Sequence, residues 1–254
     1  MRSVSGIRGV VGDTLTPQVL FSHTKAFLEI TNAKKIVIGR DSRPTGEAIV
    51  QMVSGFCRLC GVDVIDAGLA TTPSVEILVT ELKADAGIII TASHNPLEWN
   101  ALKFLNAKGL FLSPDDVKKL FALADEGKFL FPDYKEMGTY EFLDDADSVH
   151  IQGTLAIPFV DVQAIRKAKF KVAIDAVNGA GSLIVPRLLE ELEGAEKYIF
   201  IEFFILADGL MWQQVFDILK EKAAAGVEVK IIFDDFGSIK RQGKRFISRL
   251  RSAG

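Results

Sequence analysis

Apolar positions in the first half of the chain recur in two spacings, and their alternation predicts a βαβαβ order. Val19, Leu20, Phe27 and Leu28 share one helical face, and Thr16-Pro17 supplies an N-cap and first-turn proline. The spacing therefore predicts a helix from there to about Ile30. Lys35 to Arg40 is a continuous run of the kind buried on both faces of a sheet. Glu47 to Gly61 reads as a helix and Val62 to Asp66 as a second strand. Thr72-Pro73 opens a helix to about Leu82, and Ala86 to Ile90 is a third strand. Asn100 to Leu105 is a further strand, and Ser113-Pro114-Asp115-Asp116 caps a helix to about Glu126. Right-handed crossovers then place Arg40 and Ser93 at the same sheet edge. The expected class is α/β: an α/β/α first domain on a mainly parallel sheet, followed by a small hybrid βαβαβα domain.

The pattern weakens over Gly127 to Gly153, where acidic residues cluster at Glu141 and Asp144 to Asp147. This stretch reads as the exit from a first domain spanning residues 1–150. In the second domain, residues 151–254, Val160 to Ala168 is a linking helix and Phe170 to Asp175 a buried strand. The Gly-rich turn through Gly181 leads into a helix, Ser182 to Leu192. That turn lacks the lysine of a P-loop and reads as a tight βα connection. Two further βα units follow. Their strands lie in Glu196 to Ile205 and Val227 to Phe233, and their helices are Gly209 to Gly226 and Ile239 to Ala253.

Composition narrows the functional classes. A formal charge of −3 argues against a general nucleic-acid binder, which carries a basic excess. No run reaches the roughly 18 apolar residues that a membrane span needs. The first motif starts almost at Met1, leaving no room for a signal peptide, so a cytoplasmic location is expected. Cys57 and Cys60 fall in the last turns of a helix, away from the N-terminal dipole that activates a redox pair. No second pair exists to complete a zinc site, so both read as reduced thiols. The last helix carries Lys240, Arg241, Lys244, Arg245, Arg249 and Arg251 and no acidic residue, with Phe246, Ile247 and Leu250 among its apolar members. Such a helix could contact an anionic membrane through residues 239–253, but the solvated outer layer of an α/β sheet is the favoured reading, because the same apolar residues are needed to cover the sheet.

Candidate chemistry gathers where strands end. Thr91-Ala-Ser-His-Asn-Pro96 follows the apolar run, setting the Ser93 hydroxyl beside the His94 imidazole and the Asn95 amide at a strand terminus. A hydroxyl so placed can accept and return a phosphoryl group; the same residues also suit a polar turn closing a βα unit. Arg8 lies between Gly6 and Gly9, where the backbone can approach an anionic ligand closely. Arg43, with Arg40 and Asp41, follows a strand at the edge where ligands collect in open parallel sheets, so Arg43 and Asn95 are candidate phosphate-binding residues. Lys103, ten residues beyond Ser93, can return to it on the next strand.

Three motifs in order, Ser5-Gly-Ile-Arg-Gly9, Gly39-Arg-Asp-Ser-Arg43 and Thr91-Ala-Ser-His-Asn-Pro96, resemble the α-D-phosphohexomutase family of phosphoglucomutases, phosphomannomutases and phosphoglucosamine mutases. The resemblance implies phosphoryl transfer between O1 and O6 of a hexose phosphate by way of a sugar bisphosphate. It makes Ser93 the phosphoryl carrier, His94 and Lys103 its neighbours, and Arg8 a substrate-phosphate or proton-transfer partner. It also implies Mg2+, with a phosphate oxygen on Ser93 as one ligand and an Asp-Gly-Asp loop supplying the others. That loop does not occur in this sequence, so tight Mg2+ binding is not expected.

The mutase likeness runs to about Leu192. From Glu196 onward the pattern resembles the start of a phospholipase D or cardiolipin synthase domain, but no histidine follows His150 to build that family's His-x-Lys-x4-Asp motif. His23-Thr-Lys25 has only its first half, with Ile30 at the aspartate position. Together the two resemblances imply an engineered chimera joined near Glu193-Gly194: residues 151–193 begin a second mutase domain and 194–254 are phospholipase D-like. The fragment is expected to lack turnover. The alternative is a non-catalytic α/β scaffold made of recombined fragments.

Overall fold

The computed structural model describes residues 1–168, 170, 172, 174, 176, 178–192, 198–203, 216–217, 219–221, 223–224 and 228–233. The chain divides into two compact units, one formed by Met1–Ala156 with Asn178–Ile184, the other by Ile157–Val177 with Val185–Gly254.

The first unit is built on a seven-stranded mixed sheet. Its strands are β1 (Arg2–Ser3), β2 (Gly6–Val10), β3 (Lys35–Arg40), β4 (Asp63–Leu69), β5 (Ala86–Ile90), β6 (Trp99–Asn106) and β7 (Tyr140–Phe142), in the order β1-β2-β6-β5-β3-β4-β7. From β5 through β3 and β4 to β7 the pairing is parallel, while β6, β2 and β1 add on antiparallel. The helices are α1 (Pro17–Thr31), α2 (Gly46–Leu59), α3 (Thr72–Glu81), α4 (Pro114–Glu126) and α5 (Ala146–Leu155). Local chemistry sets their starts: Thr16, Thr71 and Ser113 each accept a backbone N–H with their side chains, and a proline opens each helix. Asn32 and Gly127 close α1 and α4 in the left-handed conformation.

Alternate side chains of the buried strands feed two cores. On one face Ile36, Ile38, Ile88, Ile90, Leu102 and Phe104 pack with residues of α1, α2 and α4. Phe27 of α1 and Phe104 stack with ring centroids 4.6 Å apart. On the other face Val37, Ile89 and Leu105 pack with residues of α3 and α5. The result is the α/β/α sandwich expected from the sequence. Cys57 is fully buried, and burial pushes its thiol upward; Cys60 is half-buried. Both cysteines are free, and burial disfavours the thiolate of each.

The stretch with weak periodicity contains two elements that the sequence pattern missed. β7 is an edge strand with all three residues exposed, so no alternation marks it. Its Tyr140 hydroxyl donates to Asp66 at 2.8 Å. Helix α5 follows with little one-sided character, and His150 on it bonds the Ser74 hydroxyl of α3 at 2.9 Å. Position 150, the expected domain boundary, thus lies inside a helix.

In the second unit, α6 (Val162–Ala168) occupies the expected linker position, and Arg166 donates to the carbonyl of Glu191 at the end of α7 (Gly181–Glu191) at 2.5 Å. Phe170, Val172 and Ile174 join no ladder; the other positions of the expected strand lie outside the described residues. β8 (Tyr198–Phe203) and β9 (Glu228–Phe233) pair in parallel as a two-stranded sheet, and described residues between them, including Leu219 and Lys220, are helical. The basic helix expected at 239–253 lies outside the described residues.

Candidate active site

The serine loop leaves the C-terminal end of β5 and returns as β6, so the strand pairing itself positions Lys103 and Arg8. Ile89 pairs with Lys103, and Gly6 and Arg8 of β2 pair with Lys103 and Ala101. Side chains two apart share a face, which puts Arg8 and Lys103 on the same side of neighbouring strands. Gly6 permits this approach: its φ is +136°, and a Cβ there would lie 2.1 Å from the Leu102 carbonyl oxygen. A cavity of about 220 Å3 opens over these strands, walled by Ser5, Arg8, Ser93, His94 and Lys103 among others.

Ser93 adopts the left-handed conformation, φ +56°, which is costly for a residue other than glycine. A hydrogen-bonded chain accompanies it. Ser93 N–H donates to Thr91 Oγ1 at 2.9 Å, Thr91 Oγ1 donates to Asp41 Oδ2 at 2.5 Å, and Asp41 accepts from the Arg43 backbone N–H and Nε at 3.0 and 3.2 Å. Ser93 Oγ lies 3.4 Å from His94 Nδ1. Arg8 Nη1 donates to Asn95 Oδ1 at 3.4 Å, whereas its buried Nε has no partner among the described residues. Lys103 is half-buried; burial holds its ammonium below the usual lysine range, Glu76 and Asp41 oppose that, and Arg8 adds to it. Two cations that disfavour one another, one with an orphaned buried donor, form a site that an anion would satisfy.

The structure thus brings together five of the residues singled out in the sequence: Arg8, Ser93, His94, Asn95 and Lys103. It corrects the sixth. Arg43 is expected to bind phosphate from its place on the edge, yet it is only 8% exposed and turns inward. Nη1 donates to the carbonyls of Pro96 and Trp99 at 2.6 and 3.0 Å, Nη2 to those of Ser93 and Asn95 at 2.8 and 2.6 Å, and Nε to Asp41. No guanidinium N–H remains for a ligand. Asp41 pairs with Arg43, not with Arg40, which donates to the Asp41 carbonyl and sits 3.9 Å from Glu47. Thr91 was missed as a participant; its position two residues before Ser93 is the only hint in the sequence.

The described residues around the serine loop offer no set of carboxylates for a magnesium ion. Asp41, the carboxylate bound to the loop, has both oxygens engaged, and among the described residues no group of three His, Cys, Asp or Glu side chains could hold a metal.

Residues 2–131 match the family described as phosphoglucomutase/phosphomannomutase, alpha/beta/alpha domain I. With the sheet, the serine loop and this match in agreement, the chain belongs to the phosphoglucomutase/phosphomannomutase family. A probable phosphoglucosamine mutase of Thermococcus kodakarensis is 37% identical over 188 residues, covering 74% of this chain and 40% of that protein. A phosphoglucosamine/phosphogalactosamine mutase of Sulfurisphaera tokodaii is 31% identical over 229 residues, 89% of this chain and 50% of that protein. The crystal structure of a phosphoglucomutase/phosphomannomutase family protein from Burkholderia thailandensis superposes with a TM-score of 0.58 at 28% identity, covering 77% of this chain and 43% of that one. The chain therefore spans 40 to 50% of the length of these relatives. A match over 89% of 254 residues cannot end before about residue 226, so alignment to mutases extends beyond Leu192. Among the described residues, no helix is long and apolar enough to cross a membrane.

Proposed function

We propose that this chain carries the phosphoryl-accepting half of a hexose-phosphate mutase, with Ser93 as the carrier. In that chemistry a hydroxyl of a hexose monophosphate attacks the phosphorus on Ser93. The Ser93 Oγ–P bond breaks and a bisphosphate forms; the other phosphoryl then returns to Ser93. The observation that carries the reading is a serine hydroxyl, held in a left-handed turn, at a cavity walled by Arg8 and Lys103. A phosphate on Ser93 would bring roughly 1.5 to 2 negative charges to that pair. His94 is placed to take or return the proton, and Asn95 to hold Arg8.

The chain as it stands is proposed to accept phosphate without isomerising sugars, because phosphoryl transfer depends on positioning and charge stabilisation and the aspartates for Mg2+ are not in this sequence. Incubation with glucose 1,6-bisphosphate should add about 80 Da, one phosphoryl group. The gain should vanish in Ser93→Ala; no gain in the unaltered protein would sink the reading.

A second reading, that residues 194–254 derive from a phospholipase D-like protein, rests on the sequence resemblance from Glu196 onward; the parallel pairing of β8 with β9 suits it and a mutase βα unit alike. On that reading the second unit supplies no catalytic group, and the whole chain is a recombined scaffold that retains one working loop. Deleting residues 194–254 should then leave phosphate acceptance by Ser93 unchanged. Its loss in a deletion variant that remains folded would oppose this.

A further inference from the structure

We infer that Arg43 is a positioning residue that fixes the phosphoryl-carrying serine through the backbone of its loop, and does not bind the substrate phosphate. The inference rests on the reading of Ser93 as the carrier and deepens it. A guanidinium has five N–H donors in a planar fork. Here they reach the carbonyls of Ser93, Asn95, Pro96 and Trp99 and the carboxylate of Asp41, at 2.6 to 3.2 Å. One side chain thus ties both ends of the loop to the segment after β3. Asp41 extends the clamp to the nucleophile's own amide through Thr91.

Three features make this more than loop packing. The clamped carbonyl of Ser93 belongs to the residue with φ +56°, the least favourable backbone in the loop. Asn95, whose carbonyl is clamped, also accepts from Arg8 through its side chain, so the clamp sets the spacing between carrier and cation. Arg43 itself is absent from the cavity wall. Without the fork, four carbonyls and one carboxylate lose a partner together, and the loop is freed to relax toward an ordinary extended or right-handed backbone. The serine hydroxyl then moves away from Arg8 and Lys103. A lysine cannot replace it, since three donors on one nitrogen cannot span carbonyls at both ends of the loop.

The test uses the full chain carrying Ser93→Cys, with alkylation by iodoacetamide read by peptide mass across a pH series. A thiol held beside two cations ionises below the free-cysteine value of about 8.5. The expected midpoint for the introduced thiol is at least about one pH unit lower. Adding Arg43→Ala should return it to within about half a unit of the free value, and Arg43→Lys should do nearly the same. Buried Cys57 reports global unfolding in the same sample and should stay unmodified. A depressed midpoint that neither Arg43 substitution moves would overturn the positioning role and leave the carrier reading intact. A midpoint already at the free value in Ser93→Cys alone would overturn both. Should Arg43→Ala expose Cys57, Arg43→Lys decides; if both expose it, Arg43 supports the whole fold and the inference is wrong.

Discussion

Gly6→Ala tests how the sheet delivers the site. The added methyl would sit 2.1 Å from the Leu102 carbonyl oxygen, about 1 Å inside normal contact, and φ +136° is a conformation closed to alanine. The residue must therefore move both ψ and φ, and β2 must separate from β6 where Gly6 pairs with Lys103. The backbone change costs about 1–3 kcal/mol, and parting the strands costs a similar amount, giving about 2–6 kcal/mol in all. For a unit of this size that is a fall in melting temperature of roughly 4 to 24 °C. Gly12→Ala is the control, because φ there is +85° but nothing lies within 4 Å of the new methyl. It should lose only about 1–2 kcal/mol, the left-handed penalty. Calorimetry on both variants decides the matter: equal losses would show that the close approach of β2 and β6 is not what Gly6 provides.

Other outcomes follow from single features. Phe104→Ala removes a fully buried ring stacked on Phe27 and should cost about 3–5 kcal/mol in urea unfolding, with a cavity that the flanking strands cannot close. Burial holds His23 below the usual histidine range, against a bond to the Val19 carbonyl, and its Nε2 is buried without a partner. The folded state thus prefers the neutral ring. Its contribution is complete above the unfolded value of about 6.5 and is lost as pH falls toward the lower folded value, so His23→Gln should flatten the decline in urea midpoint below that pH. Tyr140, pushed up to about 12 by burial and its bond to Asp66, should ionise above the ordinary tyrosine range in an ultraviolet titration, and Tyr140→Phe should remove that late step. Conversion of glucose 1-phosphate should be about ten-thousand-fold or more below that of a full-length mutase in a coupled assay.

Much of the fold was legible because its signals are local. Thr16, Ser113 and the prolines after them mark helix starts through their own backbone chemistry, and the run Ile36 to Ile38 can only be a strand buried on both faces. β7 and α5 escaped because their reasons for being are remote: Tyr140 needs Asp66, and His150 needs Ser74, on elements far away in sequence. The candidate site divides the same way. Ser93, His94 and Asn95 are contiguous, and Lys103 follows on the next strand, so a hairpin-like return joins them. Arg43 was placed at the correct edge but given the wrong partner. Whether an arginine faces a ligand or its own backbone depends on the path of the loop it meets, here the carbonyls of Pro96 and Trp99, and no spacing in the sequence encodes that path.

The central claim is that the Ser93 hydroxyl is the phosphoryl acceptor. Fragment-ion localisation on peptides of the protein treated with glucose 1,6-bisphosphate tests it most directly. The account predicts a single phosphate on Ser93. Phosphate found instead on Ser3 or Ser5, which line the same cavity, or on no residue, would contradict it.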